Sequence, residues 1–427
     1  MSKKLAAITA TPPSAHHYTP TDPGENPLFA GNKLHQRWQA LAPKTHNTFV
    51  IADTHFAAGQ NFLAAAELWL RCAPATATLH FIALEAAPLC QSDLKQVLPD
   101  AAQTRALASQ LIENYPLLSP GFHRLFFAEQ RICLTLLFID DDASLEDGLA
   151  QLRPSLHPSA NAIKQFSVDA WFIENTASER LCEHIKHLSN KNSTLVSLHT
   201  DEPIKKQLQN SGFNIESLPC RDGQQHFLCG QWREPDIDRL TRTTTQTASR
   251  QKRKARPPVP WHLTASPHHS RSRHAAIIGG GIAGCTTAAA LAQRGWRVTL
   301  YERHNSLANE GSGNPQGIVY PKLSPQSSVL SRINLSAIQF ASRYYQRYWQ
   351  ASEETIHFGQ QCGVLVLPES EKEIVAFKKI AENFNRQNAF IQELNKYEIE
   401  KVSGLSLGAD IGLYYPQLGW INPGNVC

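Results

Sequence analysis

The stretch Ala275-Ala-Ile-Ile-Gly-Gly-Gly-Ile-Ala-Gly-Cys-Thr-Thr-Ala-Ala-Ala-Leu-Ala-Gln-Arg-Gly-Trp-Arg-Val-Thr-Leu-Tyr-Glu302 decides the fold of the C-terminal third of this chain. Its first four residues are small or β-branched and apolar, the length and composition of a short buried strand. Gly279, Gly281 and Gly284 then fall at the spacing G-x-G-x-x-G, and helix-forming residues fill positions 285–294. Gly279 permits a tight turn and Gly281 lets the main chain approach a pyrophosphate. Gly284 lets helix and strand pack closely, which sets phosphate on the helix N-terminus. A second strand over residues 297–301 ends on Glu302, whose carboxylate can accept hydrogen bonds from both hydroxyls of a ribose and disfavours a ribose phosphate. A lone G-x-G-x-x-G is weak evidence. Strand, glycines, helix, strand and terminal acid in register identify a Rossmann-type dinucleotide site.

Shortly after the acid, Glu310-Gly-Ser-Gly-Asn-Pro-Gln-Gly317 adds a second loop of small residues. FAD oxidoreductases commonly wrap the pyrophosphate and ribityl region at this point. The loop therefore favours FAD over NAD and adds Ser312, Gly313, Asn314 and Gly317 to Gly279, Gly281, Gly284 and Glu302 as expected FAD contacts.

The N-terminal half alternates strand and helix. Phe49-Val-Ile-Ala52 reads as a strand, residues 55–60 as a turn and residues 61–72 as an apolar helix. Leu79-His-Phe-Ile-Ala-Leu-Glu85 is a second strand, followed by a helix from about Ser92, whose hydroxyl suits an N-cap. Strands over 131–139, 168–173 and 193–198, and a last one at Phe227-Leu-Cys-Gly230, complete a doubly wound α/β pattern. Residues 1–46, rich in Pro, Thr and His, read as an extended lead-in. Residues 233–273, with Arg250, Lys252, Arg253, Lys254 and Arg256, read as a basic interdomain linker, a solvated tether or an arm for RNA. The organisation expected is lead-in 1–46, first domain 47–232, linker 233–273 and flavin domain 274–427.

A chain of 427 residues exceeds one ordinary core, which stops growing near roughly 250 to 300 residues. Hydrophobic content of 42% with 18% charged residues is that of a folded globular protein. The net charge of +4 permits a nucleic-acid partner without demanding one. Nine cysteines without a CxxC pair read as reduced thiols, and the cytoplasm is the expected compartment. No export signal or membrane span is read, because the weakly polar run 275–292 is broken by four glycines. The histidine pairs His16-His17 and His268-His269 lack partners at ligand spacing, so no metal is expected. Tyr344, Tyr345, Tyr348 and Trp349 share one helix and are read as packing residues.

Four segments of the C-terminal part together carry a resemblance: Ile277-Ile-Gly-Gly-Gly-Ile-Ala-Gly284, Arg294-Gly-Trp-Arg-Val-Thr-Leu-Tyr301, Gly313-Asn-Pro-Gln-Gly-Ile-Val-Tyr-Pro321 and Tyr415-Pro-Gln-Leu-Gly-Trp420. They resemble the MnmC family of bifunctional tRNA-modifying proteins. The N-terminal half adds Asn61-Phe-Leu63, His80-Phe-Ile-Ala-Leu-Glu85, Pro120-Gly-Phe-His-Arg-Leu125, Val168-Asp-Ala-Trp-Phe172 and Phe227-Leu-Cys-Gly230. The resemblance implies a Rossmann-like methyltransferase domain, using S-adenosylmethionine, joined to an FAD domain of the glycine and sarcosine oxidase type. It implies a tRNA partner, a monomer, and two reactions on a wobble uridine. The flavin half removes the carboxymethyl group from carboxymethylaminomethyl(thio)uridine, and the other half methylates the amine left behind. By resemblance Gly59, Glu85 and Asp140 contact S-adenosylmethionine and Glu174 receives the amine proton.

Several positions depart from that family. Its Gly-Phe-Gly-Thr-Gly-Leu-Asn-Phe loop reads His55-Phe-Ala-Ala-Gly-Gln-Asn-Phe62 here, so side chains at His55 and Ala57 stand where the cofactor's methionine moiety belongs. Its Asp-Gly-Phe-Ala-Pro loop is replaced by Glu174-Asn-Thr-Ala-Ser178, which moves any catalytic carboxylate by a methylene. The family's flavin domain also runs past Cys427, so a fragment or an early-terminated product is expected. Two readings follow: an enzyme of wobble-uridine modification whose methyltransferase half is impaired, or a non-catalytic tRNA-binding scaffold.

Overall fold

β-Branched and aromatic runs of the N-terminal half pair into one eight-stranded sheet. In the computed structural model, residues 26–43, 47–98, 102–139, 149, 167–174, 179–220, 225–233, 273–326, 328–351, 357–384 and 389–427 are described. Asp140, residues 175–178, both histidine pairs and nearly all of the basic linker lie outside them. The strands are β1 (Thr48–Asp53), β2 (Thr78–Glu85), β3 (Gly121–Phe127), β4 (Ile132–Phe138), β5 (Val168–Ile173), β6 (Ser189–Ser197), β7 (Phe213–Pro219) and β8 (His226–Trp232). Their spatial order is β3-β4-β2-β1-β5-β6-β8-β7. The five from β4 to β6 run parallel, while β3, β8 and β7 are antiparallel additions. Strand β4 is buried along its whole length, as a parallel strand covered on both faces must be. The order reverses at β1, between β2 and β5, and ligands of such sheets bind beyond the carboxyl ends of the strands at that point.

Part of the segment expected to be an extended lead-in is instead helical: α1 (Pro27–Gly31) and α2 (Leu34–Gln39). The Asn26 side chain caps α1 by accepting from the Leu28 N–H at 2.9 Å. Leu28, Phe29, Leu34 and Trp38 are buried, and Trp38 stands edge-on to Trp69 with ring centroids 5.1 Å apart. Trp69 belongs to α3 (Gln60–Cys72), which lays Phe62, Leu63, Ala65, Ala66 and Leu68 inward as well. Helices of one or two turns carry too few residues to display a period, and tertiary burial stabilises them. Strands β3 and β7 were likewise not read from the sequence. The next helix, α4 (Gln91–Val97), is preceded by Cys90 at its N-cap, so Ser92 sits in the first turn, its hydroxyl 2.8 Å from the Cys90 thiol. Three further helices, α5 (Arg105–Glu113), α6 (Glu179–Leu188) and α7 (Glu202–Asn210), add to the layers over the sheet.

In the C-terminal part β9 (His274–Ile278), α8 (Ile282–Ala292) and β10 (Arg297–Tyr301) form a parallel β-α-β unit, with Ile278 opposite Tyr301. Strand β11 (Gly317–Val319) leads to the long helix α9 (Val329–Gln350). Two small antiparallel sheets follow. One pairs β11 and β12 (Gly359–Gln360) with β16 (Gly419–Ile421); the other pairs β13 (Val364–Val366) and β14 (Gln392–Asn395) with β15 (Ile411–Tyr415). Val319, Leu335, Ile338, Phe390, Leu413 and Tyr415 form their common core, with Tyr345 and Trp349 packed against it as expected. Helix α9 also reaches the N-terminal sheet. Ser336 donates to the Phe122 carbonyl at 3.1 Å, Arg343 to the Arg124 carbonyl at 3.5 Å, and the Gln339 side-chain oxygen accepts from the Leu117 N–H at 3.0 Å. Among the described residues no helix is long and apolar enough to cross a membrane.

Trp38 is fully buried, so Trp38→Ala is expected to destabilise the N-terminal unit by about 3–5 kcal/mol. Urea unfolding followed by far-UV circular dichroism reads this, and a loss under about 1 kcal/mol would show that α2 is no part of the core.

Candidate functional sites

The first site lies where β9 turns into α8. Gly279 takes φ +101°, a backbone angle only glycine adopts at no steric penalty, and its N–H donates to the Tyr301 carbonyl at 2.8 Å. A Cβ on Gly284 would overlap the Gly279 carbonyl oxygen, so this position must be glycine for the helix to start so close to the strand. A Cβ on Gly281 would come within 2.9 Å of the Ser312 hydroxyl, which accepts from the Ile282 N–H at 3.1 Å. The second small-residue loop thus lies directly over the N-terminus of α8, where unpaired N–H groups and the helix dipole favour an anion. Gly313 packs so tightly on the Ala308 carbonyl that a Cβ would approach it to 2.6 Å. Asn314 folds back to the Gly311 carbonyl at 3.2 Å, and Gly317 opens β11 opposite Ile421.

Glu302 ends β10 as expected. Its carboxylate accepts from the His304 N–H at 2.9 Å and from the Gly280 N–H at 2.6 Å, and these bonds hold its pKa below the ordinary glutamate value. The carboxylate therefore ties the glycine turn to the strand end while remaining ionised. The Gly280 contact was not read from the sequence, although three glycines in succession signalled it. The residues fit FAD: a glycine cradle free of Cβ atoms, a helix N-terminus for the pyrophosphate and an ionised acid for the ribose.

The second site lies at the carboxyl ends of β2, β1 and β5, which bring Glu85, Asp53 and Glu174 together. Glu85 is buried, and its two oxygens accept from the Ala57 N–H at 2.8 Å and the Ala87 N–H at 2.9 Å. Asn61 bridges the other two acids, donating to Asp53 at 3.1 Å and to Glu174 at 2.6 Å. The His55 imidazole stands between the strands, 3.5 Å from Glu174 through Nδ1 and 3.8 Å from Glu85 through Nε2. A hydrogen bond to Glu174 raises the His55 pKa, opposed by burial and aided by Glu85. Burial, and after it the Glu174 charge, push the Asp53 carboxyl well above its usual range. Ala57 is held at φ +49°, and Gly59, at φ +82°, turns the chain into α3 with Phe56 packed beneath it.

This crevice has the negative charge that a sulfonium or amine requires, with the His55 imidazole standing inside it. The oxygens of Glu85 accept from the main chain as those of Glu302 do, but here an imidazole stands between the two outer acids. As built, the residues do not fit S-adenosylmethionine. Asp53, His55 and Asn61 were not among the residues singled out as contacts. Asp53 could have been found as the acid ending β1 at the sheet's switch point.

Residues 274–427 match the family model described as FAD dependent oxidoreductase. Two curated relatives carry the name tRNA 5-methylaminomethyl-2-thiouridine biosynthesis bifunctional protein MnmC. That of Stutzerimonas stutzeri is 34% identical over 94% of this chain and 56% of its own length; that of Legionella pneumophila strain Corby is 31% identical over 93% and 57%. The chain thus spans somewhat more than half the length of the curated relatives it matches. A solved structure of MNMC2 from Aquifex aeolicus aligns at 14% identity and a TM-score of 0.36, covering 51% of this chain and 63% of that one, too loosely to argue from.

The folded chain holds the His55 proton more tightly than the unfolded chain does. That interaction stabilises the fold fully below the ordinary histidine pKa of 6.5 and is lost as pH rises through the raised value. Raised Asp53 acts in the same sense, from 3.8 upward. His55→Gln is expected to flatten the fall of the melting temperature above pH 6.5, measured by differential scanning calorimetry. An unchanged slope would assign the proton to another group.

Proposed function

We propose, from homology to the MnmC bifunctional proteins along 94% of the chain, that this protein acts in modification of the tRNA wobble uridine. Its flavin half removes the carboxymethyl group from carboxymethylaminomethyl(thio)uridine and leaves aminomethyluridine. The observation that carries this reading is the β9, glycine turn, α8, β10 unit ending in Glu302, within a segment that matches an FAD dependent oxidoreductase model. Bound FAD supplies the electron sink for oxidising a C–H bond beside a secondary amine. The protein's part is to hold and orient it. Gly279, Gly281 and Gly284 bring main-chain N–H groups to the pyrophosphate at the start of α8, Glu302 takes the ribose hydroxyls, and Ser312, Gly313, Asn314 and Gly317 form the covering loop. The reading carries with it a tRNA partner, the cytoplasm and a monomer.

The relatives' name implies a second activity, methylation of the resulting amine with S-adenosylmethionine. One observation favours its impairment in this chain: His55 bridges Glu85 and Glu174 where that cofactor needs space. Glu85, Gly59 and Asp140 remain the proposed cofactor contacts and Glu174 the proposed acceptor of the amine proton, with the loop rearranged.

Purified protein is expected to show oxidised-flavin absorption near roughly 370 and 450 nm. Gly284→Val is expected to abolish it, because the added side chain collides with the Gly279 carbonyl. A wild-type chain that stays colourless with added FAD overturns the oxidoreductase reading.

A further inference from the structure

The two halves meet around a cleft of about 280 Å³ that the reactions above do not use. One wall is β3 and the turn after it; the other is α9. Three arginines line it, Arg124 from β3 and Arg343 and Arg347 from α9, and Glu129 is the one carboxylate among the lining residues. Arg343 has its donor on the Arg124 main-chain carbonyl at a long 3.5 Å, and burial alone pulls its pKa down to about 10. A buried guanidinium without an acid beside it is costly, and an incoming anion relieves that cost. The same walls carry aromatic faces. Phe340 and Tyr344 lie nearly parallel, 17° between planes with centroids 6.1 Å apart, and Phe340 is 40% exposed. Arg347 covers the Tyr344 ring at 4.2 Å, and Arg294 approaches Phe126 at 5.7 Å.

We propose that this interdomain cleft receives an unpaired segment of RNA, with a backbone phosphate on Arg343, Arg124 and Arg347 and a base against the Phe340 and Tyr344 rings. Fixed planar cations bind phosphate oxygens bidentately, and aromatic faces take unstacked bases without regard to sequence. An acidic protein segment would satisfy the arginines but leave the rings without a partner. The inference rests on the reading of an RNA substrate and locates where the nucleic acid crosses from one half to the other.

Fluorescence anisotropy with labelled unmodified tRNA, titrated between 50 and 200 mM salt (on the order of the range where phosphate contacts dominate), tests it. The variants are Arg347→Ala, which is exposed, Arg343→Ala, checked for an unchanged melting transition, and Tyr344→Leu. Each arginine variant should weaken binding about tenfold and lower the salt slope by about 1, and Tyr344→Leu should weaken binding about fivefold or more with the slope unchanged. Variants that bind like wild type in affinity and slope overturn the proposal, as does a wild-type chain that binds no tRNA. Competition by polyglutamate to which Tyr344→Leu is indifferent overturns it in favour of an acidic protein partner. Cleft-dependent tRNA binding without wobble-uridine oxidation leaves the cleft standing and defeats the flavin reading. Oxidation with cleft variants of normal affinity does the reverse.

Discussion

The flavin half depends on one steric fact: at Gly284 the first turn of α8 leaves no space for a side chain against the Gly279 carbonyl. That approach puts the helix axis on the strand end, lets the Gly280 N–H reach Glu302, and brings the Ser312 loop over the helix N-terminus. Each depends on the one before. A single methyl at the contact would displace the helix start, and the acid, the loop and the N–H groups of the first helical turn would lose their common focus.

The N-terminal half shows the opposite case. Its loop between β1 and α3 keeps one glycine at the turn into the helix, Gly59, while Ala57 is forced to a positive φ and His55 fills the gap between two acids. Non-glycine residues at positive φ persist only where surrounding contacts hold them, and here the Ala57 N–H is held by buried Glu85. The loop is closed by its own hydrogen bonds, His55 N–H to Asp53 and Ala57 N–H to Glu85. The acids gathered here raise the His55 pKa, through the hydrogen bond to Glu174 first, and burial raises that of Asp53.

The β9 to β10 unit was legible because its chemistry is local: five requirements fall within 28 consecutive residues, from Ala275 to Glu302. The parallel strands of the first domain were legible for the same reason, as continuous apolar runs. Helices α1 and α2 were not, because a polar, proline-rich surrounding composition hid two short apolar clusters whose helicity is decided by Trp69 and the sheet. The bridging role of His55 needed three strand ends, some 30 and 120 residues apart in sequence, to be placed side by side. The arginine cleft was the least legible of all. Residue 124 and residues 343–347 become neighbours only through docking, and along the sequence Tyr344 and Tyr348 read simply as packing residues.

The docking has a consequence for solubility. Strand β3 is the last strand on its side of the eight-stranded sheet, and its outward carbonyls at Phe122 and Arg124 are taken by Ser336 and Arg343 of α9. An unprotected antiparallel edge invites a second chain to add to the sheet. Helix α9 therefore acts as a guard rail against strand addition, and the first domain cut free of the flavin half would present a sticky border rather than a finished surface.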